Sequence, residues 1–275
     1  MTTPASAGRR IDRAMIVGFG ALGHRVAADL VAEGAEVLAV RRTAGGFPAG
    51  VTGIVADVAG PLDLELPAVD TLIVTLPPGP TADAYRRALG HVADALPAAP
   101  DRTVFVSSTG VFDGETDAVV TEAVDPAPVT PRGLGLRDGE LAAIEMFSAV
   151  ILRPAGIYGP GRDFLIRQVR AQNAVDHGRR TNRIHEADLV RTILALARTD
   201  APPAVLHAVD GHPALMRDVV AFIARELDTP VPPDSGSGEP HGKVIDGGLL
   251  ARFLGPLRHP SFDSGYAEML AAATD

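Results

Sequence analysis

Short apolar runs alternate with stretches of helical periodicity along the first half of the chain. Buried parallel strands read as short apolar runs, whereas amphipathic helices repeat apolar positions every three or four residues. The alternation predicts βαβ units and a parallel sheet. The predicted strands are residues 14–17, 37–40, 53–56, 71–76, 103–107 and 149–152, and the predicted helices between them are residues 21–33, 81–96 and 136–147.

The alternation loosens beyond Arg153. Here the pattern predicts helices at 163–172, 186–197 and 215–227, a strand at 205–209, a Pro/Gly/Ser-rich mobile surface loop at 230–242, and a strand with helices in 244–272. The chain is therefore predicted to be an α/β protein with a doubly wound parallel sheet. Residues 1–12 are predicted to be a flexible tail, 13–153 a dinucleotide-binding core, and 154–275 a smaller, mainly substrate-binding part with some elements completing the core.

Composition narrows the classes of function. The net charge of -9 and the pI near 5.3 argue against binding to nucleic acid or to anionic membranes, which require a basic face. The chain has no cysteine, which excludes disulfides, thiolate catalysis and cysteine-based metal sites. No metal site is predicted. The absence of an apolar stretch long enough for a signal peptide or a membrane span predicts a cytoplasmic protein.

The turn after the first predicted strand has the spacing G-x-G-x-x-G, with glycines at Gly18, Gly20 and Gly23. Gly18 permits a tight turn, Gly20 lets the backbone approach a pyrophosphate, and Gly23 allows close packing of helix on strand. The free N–H groups and the dipole of the helix then meet the phosphate charge. The turn Gly18-Phe19-Gly20-Ala21-Leu22-Gly23 thus predicts a dinucleotide site, the alternative being a glycine-rich loop in an unrelated α/β domain.

The end of the second strand bears on the choice between NADP and NAD. An NAD site usually has an acid there, bonded to the ribose 2′-hydroxyl, but this chain has Arg41, Arg42 and Thr43. Guanidinium groups pair well with a 2′-phosphate, so NADP is predicted over NAD. The alternative is a solvated arginine pair, with cofactor preference set elsewhere.

Two more strand ends are expected at the cofactor. Asp57 follows the third strand and either faces the adenine or caps a turn. Leu76, Pro77 and Pro78 end the fourth strand and are predicted to line the crevice, because ligands bind at the carboxyl ends of parallel strands.

Five stretches together resemble the extended short-chain dehydrogenase/reductase superfamily, in particular its atypical, epimerase/dehydratase-like NAD(P)-binding members of Rossmann fold. They are the glycine turn and residues 106–112 (VSSTGVF), 152–161 (LRPAGIYGPG), 182–189 (NRIHEADL) and 258–262 (RHPSF). They occur in the expected order over most of the chain. The resemblance implies a soluble enzyme acting on a small molecule, and relatives are often homodimers formed through helices flanking the sheet.

The resemblance also implies roles for single residues. Ser108, with Thr109 beside it, matches the position that hydrogen-bonds a substrate carbonyl or hydroxyl. Ser107, Pro154 and Ile157 are implied beside the cofactor. Tyr158 either faces substrate as a catalytic group or packs under its loop. His185 and Asp188 match a loop-to-helix junction that is mainly architectural, with proton transfer by His185 as the alternative.

The sequence departs from the superfamily at its Tyr-x-x-x-Lys dyad, in which the tyrosine transfers a proton and the lysine binds the nicotinamide ribose. Tyrosine occurs only at 85, 158 and 266, and Lys243 is the only lysine. In the superfamily an acidic residue usually follows shortly after the dyad. If Glu140 is aligned with that residue, Arg132 takes the tyrosine position and Leu136 the lysine position. Arginine stays charged at neutral pH and cannot donate that proton, although Arg132 is predicted to hold an anionic substrate if it does not simply face solvent.

Three functions are compatible with this pattern. The first is an atypical NADP-dependent oxidoreductase acting on a small carbonyl or hydroxyl compound, with Ser108 polarising the oxygen. The second is a non-catalytic NADP-binding sensor or scaffold, which the missing dyad favours. The third is an epimerase or dehydratase with bound cofactor.

Overall fold

The computed structural model describes residues 8–115 and 118–272. A seven-stranded parallel sheet organises the fold, in the order β11-β7-β5-β4-β1-β2-β3. Its strands are β1 (Arg13–Val17), β2 (Glu36–Arg41), β3 (Val51–Val55), β4 (Thr71–Val74), β5 (Arg102–Val106), β7 (Val150–Pro154) and β11 (Val205–Ala208). The predicted doubly wound α/β class is confirmed, because chain order runs outward from β1 to β3 on one side and from β4 to β11 on the other.

Short strand pairs lie outside this sheet. They are β6 (Val119–Val120) with β13 (Val244–Ile245), β8 (Gly156–Tyr158) with β10 (Arg183–His185), and β9 (Arg180–Thr181) with β12 (Ala214–Leu215). The helices are α1 (Ala21–Ala32), α2 (Ala84–Ala95), α3 (Pro131–Phe147), α4 (Phe164–Arg170), α5 (Glu186–Arg198), α6 (Met216–Glu226), α7 (Gly248–Leu254) and α8 (Phe262–Ala271). In the part of the chain that the structure describes, no helix is long and apolar enough to cross a membrane.

The chain divides into two compact units. Unit 1 contains the residues up to Val111 together with Pro128–Arg153 and Val190–Leu206. Unit 2 contains Phe112–Ala127, Pro154–Leu189 and the residues from His207 onwards. The core of unit 1 includes the apolar strand residues Met15, Ile16, Leu72, Ile73 and Phe105, none of which is exposed. The core of unit 2 is a separate cluster formed by side chains such as Val169, Val219 and Ile223.

Residues 8–12, the described part of the predicted flexible tail, contact other residues of unit 1. Ile11 is buried, and the Arg9 N–H donates to the Arg198 carbonyl at 2.8 Å. The rest of the predicted tail lies outside the described residues. The predicted loop at 230–242 is also held in place, since the Val175 N–H donates to Pro233 and the Arg180 N–H donates to His241, at 3.0 and 2.8 Å. Both regions therefore form main-chain hydrogen bonds to distant segments, which composition does not reveal.

Helix α3 begins five residues before its predicted start at Leu136. The Thr130 hydroxyl accepts the Gly133 N–H at 3.1 Å, and Pro131 occupies the first helical position, so the start has the usual N-cap signals. Glycines in the first turns weaken the sequence signal because glycine has low helix propensity. Helix α3 packs closely on α2, and this tertiary contact outweighs the local preference.

Gly139 shows how close that packing is. A Cβ at this position would lie 2.8 Å from the Cβ and Cγ of Tyr85 on α2. We expect Gly139→Ala to lower the free energy of unfolding by about 1–3 kcal/mol, because the added methyl group overpacks a buried contact. Urea unfolding measures the change. Gly90→Ala on α2 is the matched control, since its nearest neighbour would be Met146 Cε at 4.0 Å. That variant is expected to gain about 0.5–1 kcal/mol from helix propensity. Equal effects of the two substitutions would contradict the packing argument.

Candidate cofactor and substrate site

The glycine turn adopts the geometry that its spacing predicts. Gly18 has φ +92°, and a Cβ there would lie 2.7 Å from the Leu76 nitrogen. The N–H groups of Gly18 and Phe19 donate to the Val40 carbonyl at 3.1 and 3.3 Å. The Thr75 hydroxyl donates to the Gly18 carbonyl at 2.7 Å. Only glycine fits this position, and the turn is attached to both strands that neighbour β1.

The first turn of α1 is open to a negatively charged ligand. Gly20 is the N-cap residue, has no side-chain cap, and would have nothing within 4 Å of an added Cβ. The first N–H groups of a helix have no partner inside the helix, and residues 21–23 include no acid to compete for them. At Gly23 a Cβ would lie 3.2 Å from Phe19 and 3.3 Å from Ile16, as expected where a helix packs tightly on its strand.

His24 is a residue of this site that the sequence analysis missed. Its Nδ1 lies 2.9 Å from the Gly20 carbonyl oxygen, and its Nε2 lies 2.7 Å from the Gly46 carbonyl oxygen. Its ring is 4.1 Å from the ring of Phe19, which in turn stacks on Phe47 at 5.8 Å. His24 therefore joins the glycine turn to the loop after β2. Gly46 is distant in sequence, and no periodic pattern indicates the contact.

The predicted arginine pair has two different environments. Arg41 is half-buried, and its guanidinium donates to the Gly45 carbonyl at 3.2 Å and to the Thr43 hydroxyl at 3.0 Å. Arg42 and Thr43 are exposed. Arg41 thus shapes the loop after β2, while Arg42 is the guanidinium that extends into solvent beside it.

Asp57 caps a turn in this structure. Its Oδ1 accepts the Ala59 N–H at 3.1 Å, and its carbonyl oxygen accepts the Gly60 N–H at 3.3 Å. This is the second of the two roles that the sequence left open. Contact of Asp57 with adenine stays a prediction.

A buried tyrosine positions the segment that follows β4. The Tyr85 hydroxyl donates to the Leu76 carbonyl at 3.0 Å, and the ring is 4% exposed. Burial raises the pKa of Tyr85, so its hydroxyl keeps its proton as a hydrogen-bond donor. Pro77 and Pro78 are exposed just beyond this anchor, at the carboxyl edge where the cofactor crevice is predicted.

A buried ion pair lies next to Ser107, the residue that follows β5. Glu140 of α3 is fully buried, and its carboxylate accepts two hydrogen bonds from Arg153 at 2.8 and 2.7 Å. The Ser107 hydroxyl donates to the same carboxylate at 2.7 Å, and Arg137 contacts it at 3.3 Å. The guanidinium of Arg153 is thus engaged inside unit 1. Ser107, a predicted cofactor contact, has its hydroxyl fixed by Glu140.

The predicted substrate-binding residues of unit 1 lie in the segment after β5 and in the first turn of α3. Ser108 is half-buried, and its Oγ accepts the Gly110 N–H at 3.0 Å, with Thr109 between them. Arg132 is exposed in the first turn of α3, whereas Leu136 is buried and would lie 3.2 Å from a Cβ on Gly110. The dyad position aligned with lysine is therefore part of the core.

In unit 2, Tyr158 occupies the packed environment that was one of its two predicted roles. It is 3% exposed, and its hydroxyl donates to the Ser261 carbonyl at 3.2 Å. Burial raises the pKa of Tyr158. Pro154 ends β7, and Ile157 lies in β8 opposite Ile184. Contact of Tyr158 with substrate, and of Pro154 and Ile157 with cofactor, stays a prediction.

Asp188 has the architectural geometry that the resemblance implies. It is fully buried, and its two carboxylate oxygens accept the N–H groups of Arg258 and His259 at 2.9 and 2.8 Å. Two of the five motif stretches are joined by this contact.

Solved structures match the chain over nearly its whole length. A candidate NAD-dependent epimerase/dehydratase from Methylobacillus flagellatus has a TM-score of 0.81 and 28% identity, with 97% of this chain and 100% of that chain covered. MoeE5, in complex with UDP-glucose and NAD, has a TM-score of 0.77 and 22% identity, with 95% and 98% covered. TunA, an NAD-dependent NDP-hexosamine 5,6-dehydratase involved in tunicamycin biosynthesis, has a TM-score of 0.76 and 19% identity, with 96% and 98% covered. No protein-family model and no curated protein matches the chain.

The chain has the Rossmann fold of the NAD-dependent epimerase/dehydratase proteins. This agrees with the extended short-chain dehydrogenase/reductase resemblance of its five motif stretches.

Proposed function

We propose that this protein is a nicotinamide-dinucleotide-dependent enzyme that binds the cofactor pyrophosphate at the glycine turn. The observation that carries the proposal is the uncapped, acid-free first turn of α1 behind Gly18, whose positive φ and contact with Leu76 only glycine can provide. A helix N-terminus of this kind favours phosphate through its free N–H groups and its dipole. The position between β1 and β4 is the point where the strand order reverses, which is where open α/β sheets bind ligands.

The proposed cofactor is NADP. Arg42 extends from the loop after β2 without an acid beside it, and Arg41 with Thr43 holds that loop in shape. MoeE5 was solved with NAD, so NAD is the alternative that the solved structures favour. A single guanidinium on a 2′-phosphate contributes about 1.5–3 kcal/mol, which corresponds to a tenfold to hundredfold preference.

The proposed reaction is oxidoreduction at a carbonyl or hydroxyl carbon. The bound nicotinamide supplies or accepts the hydride. Ser108, which follows β5 at the carboxyl edge, hydrogen-bonds the substrate oxygen, and Arg132 attracts an anionic group of the substrate. An epimerase or dehydratase with bound cofactor is the second candidate, because solved structures of the same fold include a candidate epimerase/dehydratase and a 5,6-dehydratase.

Calorimetric titration with NADP and NAD tests the cofactor assignment. We expect NADP to bind more tightly than NAD, and Arg42→Ala to weaken NADP binding by about tenfold to a hundredfold while leaving NAD binding within about twofold. Arg10→Ala removes an exposed arginine of the same charge, 79% exposed at its side chain, and is expected to change neither affinity. Equal loss of NADP and NAD affinity in Arg42→Ala would contradict the 2′-phosphate contact. Absence of binding by either nucleotide to folded protein would overturn the proposed function.

Turnover tests the chemistry separately from binding. Hydride transfer is followed at the nicotinamide absorbance with a panel of small carbonyl and hydroxyl compounds, and Ser108→Ala is expected to lower any detected rate by about a hundredfold. Nucleotide-sugar conversion without net change in the cofactor would instead support the epimerase or dehydratase. Tight NADP binding without either reaction, together with a protein partner whose capture depends on the cofactor's redox state, would favour the sensor or scaffold.

A further inference from the structure

A cluster of metal-ligating side chains lies in unit 2, next to Tyr158, whose ring centroid is 5.1 Å from that of His185. His185 ends β10 and is 2% exposed, and His259 precedes α8 and is 8% exposed. Glu268 lies on α8 and has a side chain that is 57% exposed. We infer that these three side chains form a binding site for one divalent transition-metal ion of the zinc class.

The backbone at His259 is hydrogen-bonded to the helix that follows His185. Asp188, three residues after His185, accepts the N–H groups of Arg258 and His259 at 2.9 and 2.8 Å. The first turn of α5, which begins directly after His185, therefore holds the backbone of His259 in place. The two rings are 3.8 Å apart between centroids and inclined at 45°.

One pair of donor atoms has the spacing that a tetrahedral ion requires. The Nε2 atom of His259 lies 3.3 Å from a carboxylate oxygen of Glu268. Two donor atoms that each lie about 2.0–2.1 Å from a tetrahedral zinc ion are separated by roughly 3.3–3.4 Å. One donor atom from each of the three residues lies within 4.8 Å of the others, and the His185 Nδ1 accepts the Ala187 N–H at 3.3 Å. Binding of one tetrahedral ion therefore requires the His185 ring to move relative to the His259 ring.

The chemistry of the donors selects the kind of ion. Imidazole nitrogen suits zinc, cobalt, nickel and copper, whereas magnesium and calcium prefer oxygen ligands only. Two histidines and one glutamate are a known donor set for zinc with an open fourth position. The exposed side of Glu268 gives an ion and a water molecule access from solvent.

The two buried imidazoles lie in contact, with their ring centroids 3.8 Å apart. A metal ion binds both rings in their neutral form and is neutralised in part by Glu268. The His259 Nδ1 atom is buried and has no hydrogen-bond partner among the residues that the structure describes.

The alternative is a histidine–glutamate hydrogen bond that attaches α8 without any ion. Titration of chelator-treated, full-length protein with Zn²⁺ and separately with Co²⁺ distinguishes the two, by calorimetry and by the visible absorbance of cobalt. We expect one ion per chain, and a rise in Tm of about 5 °C or more at saturating Zn²⁺. Glu268→Gln, on an exposed side chain, is expected to weaken binding at least tenfold, and His259→Ala to abolish it.

His241→Ala is the matched control. His241 forms a similar histidine–carboxylate pair with Asp176 at 3.0 Å, but its side chain is 46% exposed. Among the described residues it belongs to no group of three metal-ligating side chains. This variant is expected to bind Zn²⁺ as the unsubstituted protein does. The inference is overturned if the unsubstituted protein binds neither ion, if Glu268→Gln binds as tightly as it does, or if His241→Ala is the variant that loses binding. The titration uses no nucleotide, so its outcome is independent of the proposed function.

Discussion

Replacing Glu140 with glutamine is expected to lower the free energy of unfolding by about 3–5 kcal/mol, because the change leaves a buried guanidinium without its counter-charge. Arg153 is 2% exposed, and both of its hydrogen bonds to Glu140 are charge-assisted, at 2.8 and 2.7 Å. Glutamine has nearly the same shape, so the loss reports charge and not volume. Chemical denaturation followed by circular dichroism measures it.

Glu145→Gln on the same helix is the control for this prediction. Glu145 pairs with Arg86 at 2.8 Å, but the two side chains are 68% and 36% exposed. Solvent screening limits such a pair to about 0–1 kcal/mol. Similar losses of unfolding free energy in the Glu140 and Glu145 variants would show that burial does not strengthen the charge interaction.

A double substitution separates the cost of a broken pair from the value of an intact one. In Glu140→Leu/Arg153→Met, both buried charges are removed, and Arg137, which is 24% exposed at its side chain, can turn towards solvent. We expect this protein to recover most of the stability that Glu140→Gln loses, since buried pairs are often replaceable by apolar residues. The double substitution also removes the carboxylate that accepts the Ser107 hydroxyl. Weakened nucleotide binding in a stable double variant would therefore indicate that the pair is retained in order to position Ser107.

Local patterns explain why the sheet and the glycine turn could be predicted. Buried parallel strands such as β4, with the sequence Thr71-Leu-Ile-Val74, are apolar on both faces and stand out as short runs. The turn from Gly18 to Gly23 combines spacing, a preceding strand and a following helix, and each depends only on neighbouring residues. These local signals agree with one another, which is why the fold class could be predicted from the sequence.

Contacts between distant residues explain what the sequence did not indicate. Arg153 lies in the motif stretch 152–161, and its guanidinium binds Glu140 of another element. His24 reaches Gly46, and His185 meets His259, in each case across loops whose path the sequence does not determine. Residue type and spacing therefore predicted the geometry of the glycine turn, but not which side chains contact it.

Asp210→Asn is expected to remove a stability penalty that the protein carries at neutral and alkaline pH. Asp210 is 1% exposed, its Oδ1 accepts the His212 N–H at 3.2 Å, and its Oδ2 has no hydrogen-bond partner among the described residues. Burial raises the pKa of Asp210 to about 7, although the His212 N–H and the positive charge of Arg183 act in the opposite direction. The negative charge of Asp263 adds to the rise.

The direction of the pH effect follows from the two states. An unfolded aspartate has a pKa of about 3.9, so between about pH 4 and pH 7 the folded protein holds a proton that the unfolded chain releases. Stability from this group is therefore complete below about pH 4 and declines as the pH rises through 7. A shift of about three pKa units corresponds to about 4 kcal/mol in total, and more than half of it falls between about pH 5 and pH 8.

Asparagine keeps an acceptor for the His212 N–H and has no charge to bury at any pH. We therefore expect the stability advantage of Asp210→Asn over the unsubstituted protein to grow from pH 5 to pH 8 by about 2–3 kcal/mol. Denaturant unfolding of both proteins at several pH values measures this difference. Asp218→Asn, on an exposed carboxylate in the first turn of α6, should follow the pH profile of the unsubstituted protein. A constant difference between the Asp210 variant and the unsubstituted protein would mean that Asp210 is ionised throughout this range, with the charge of Arg183 compensating its burial.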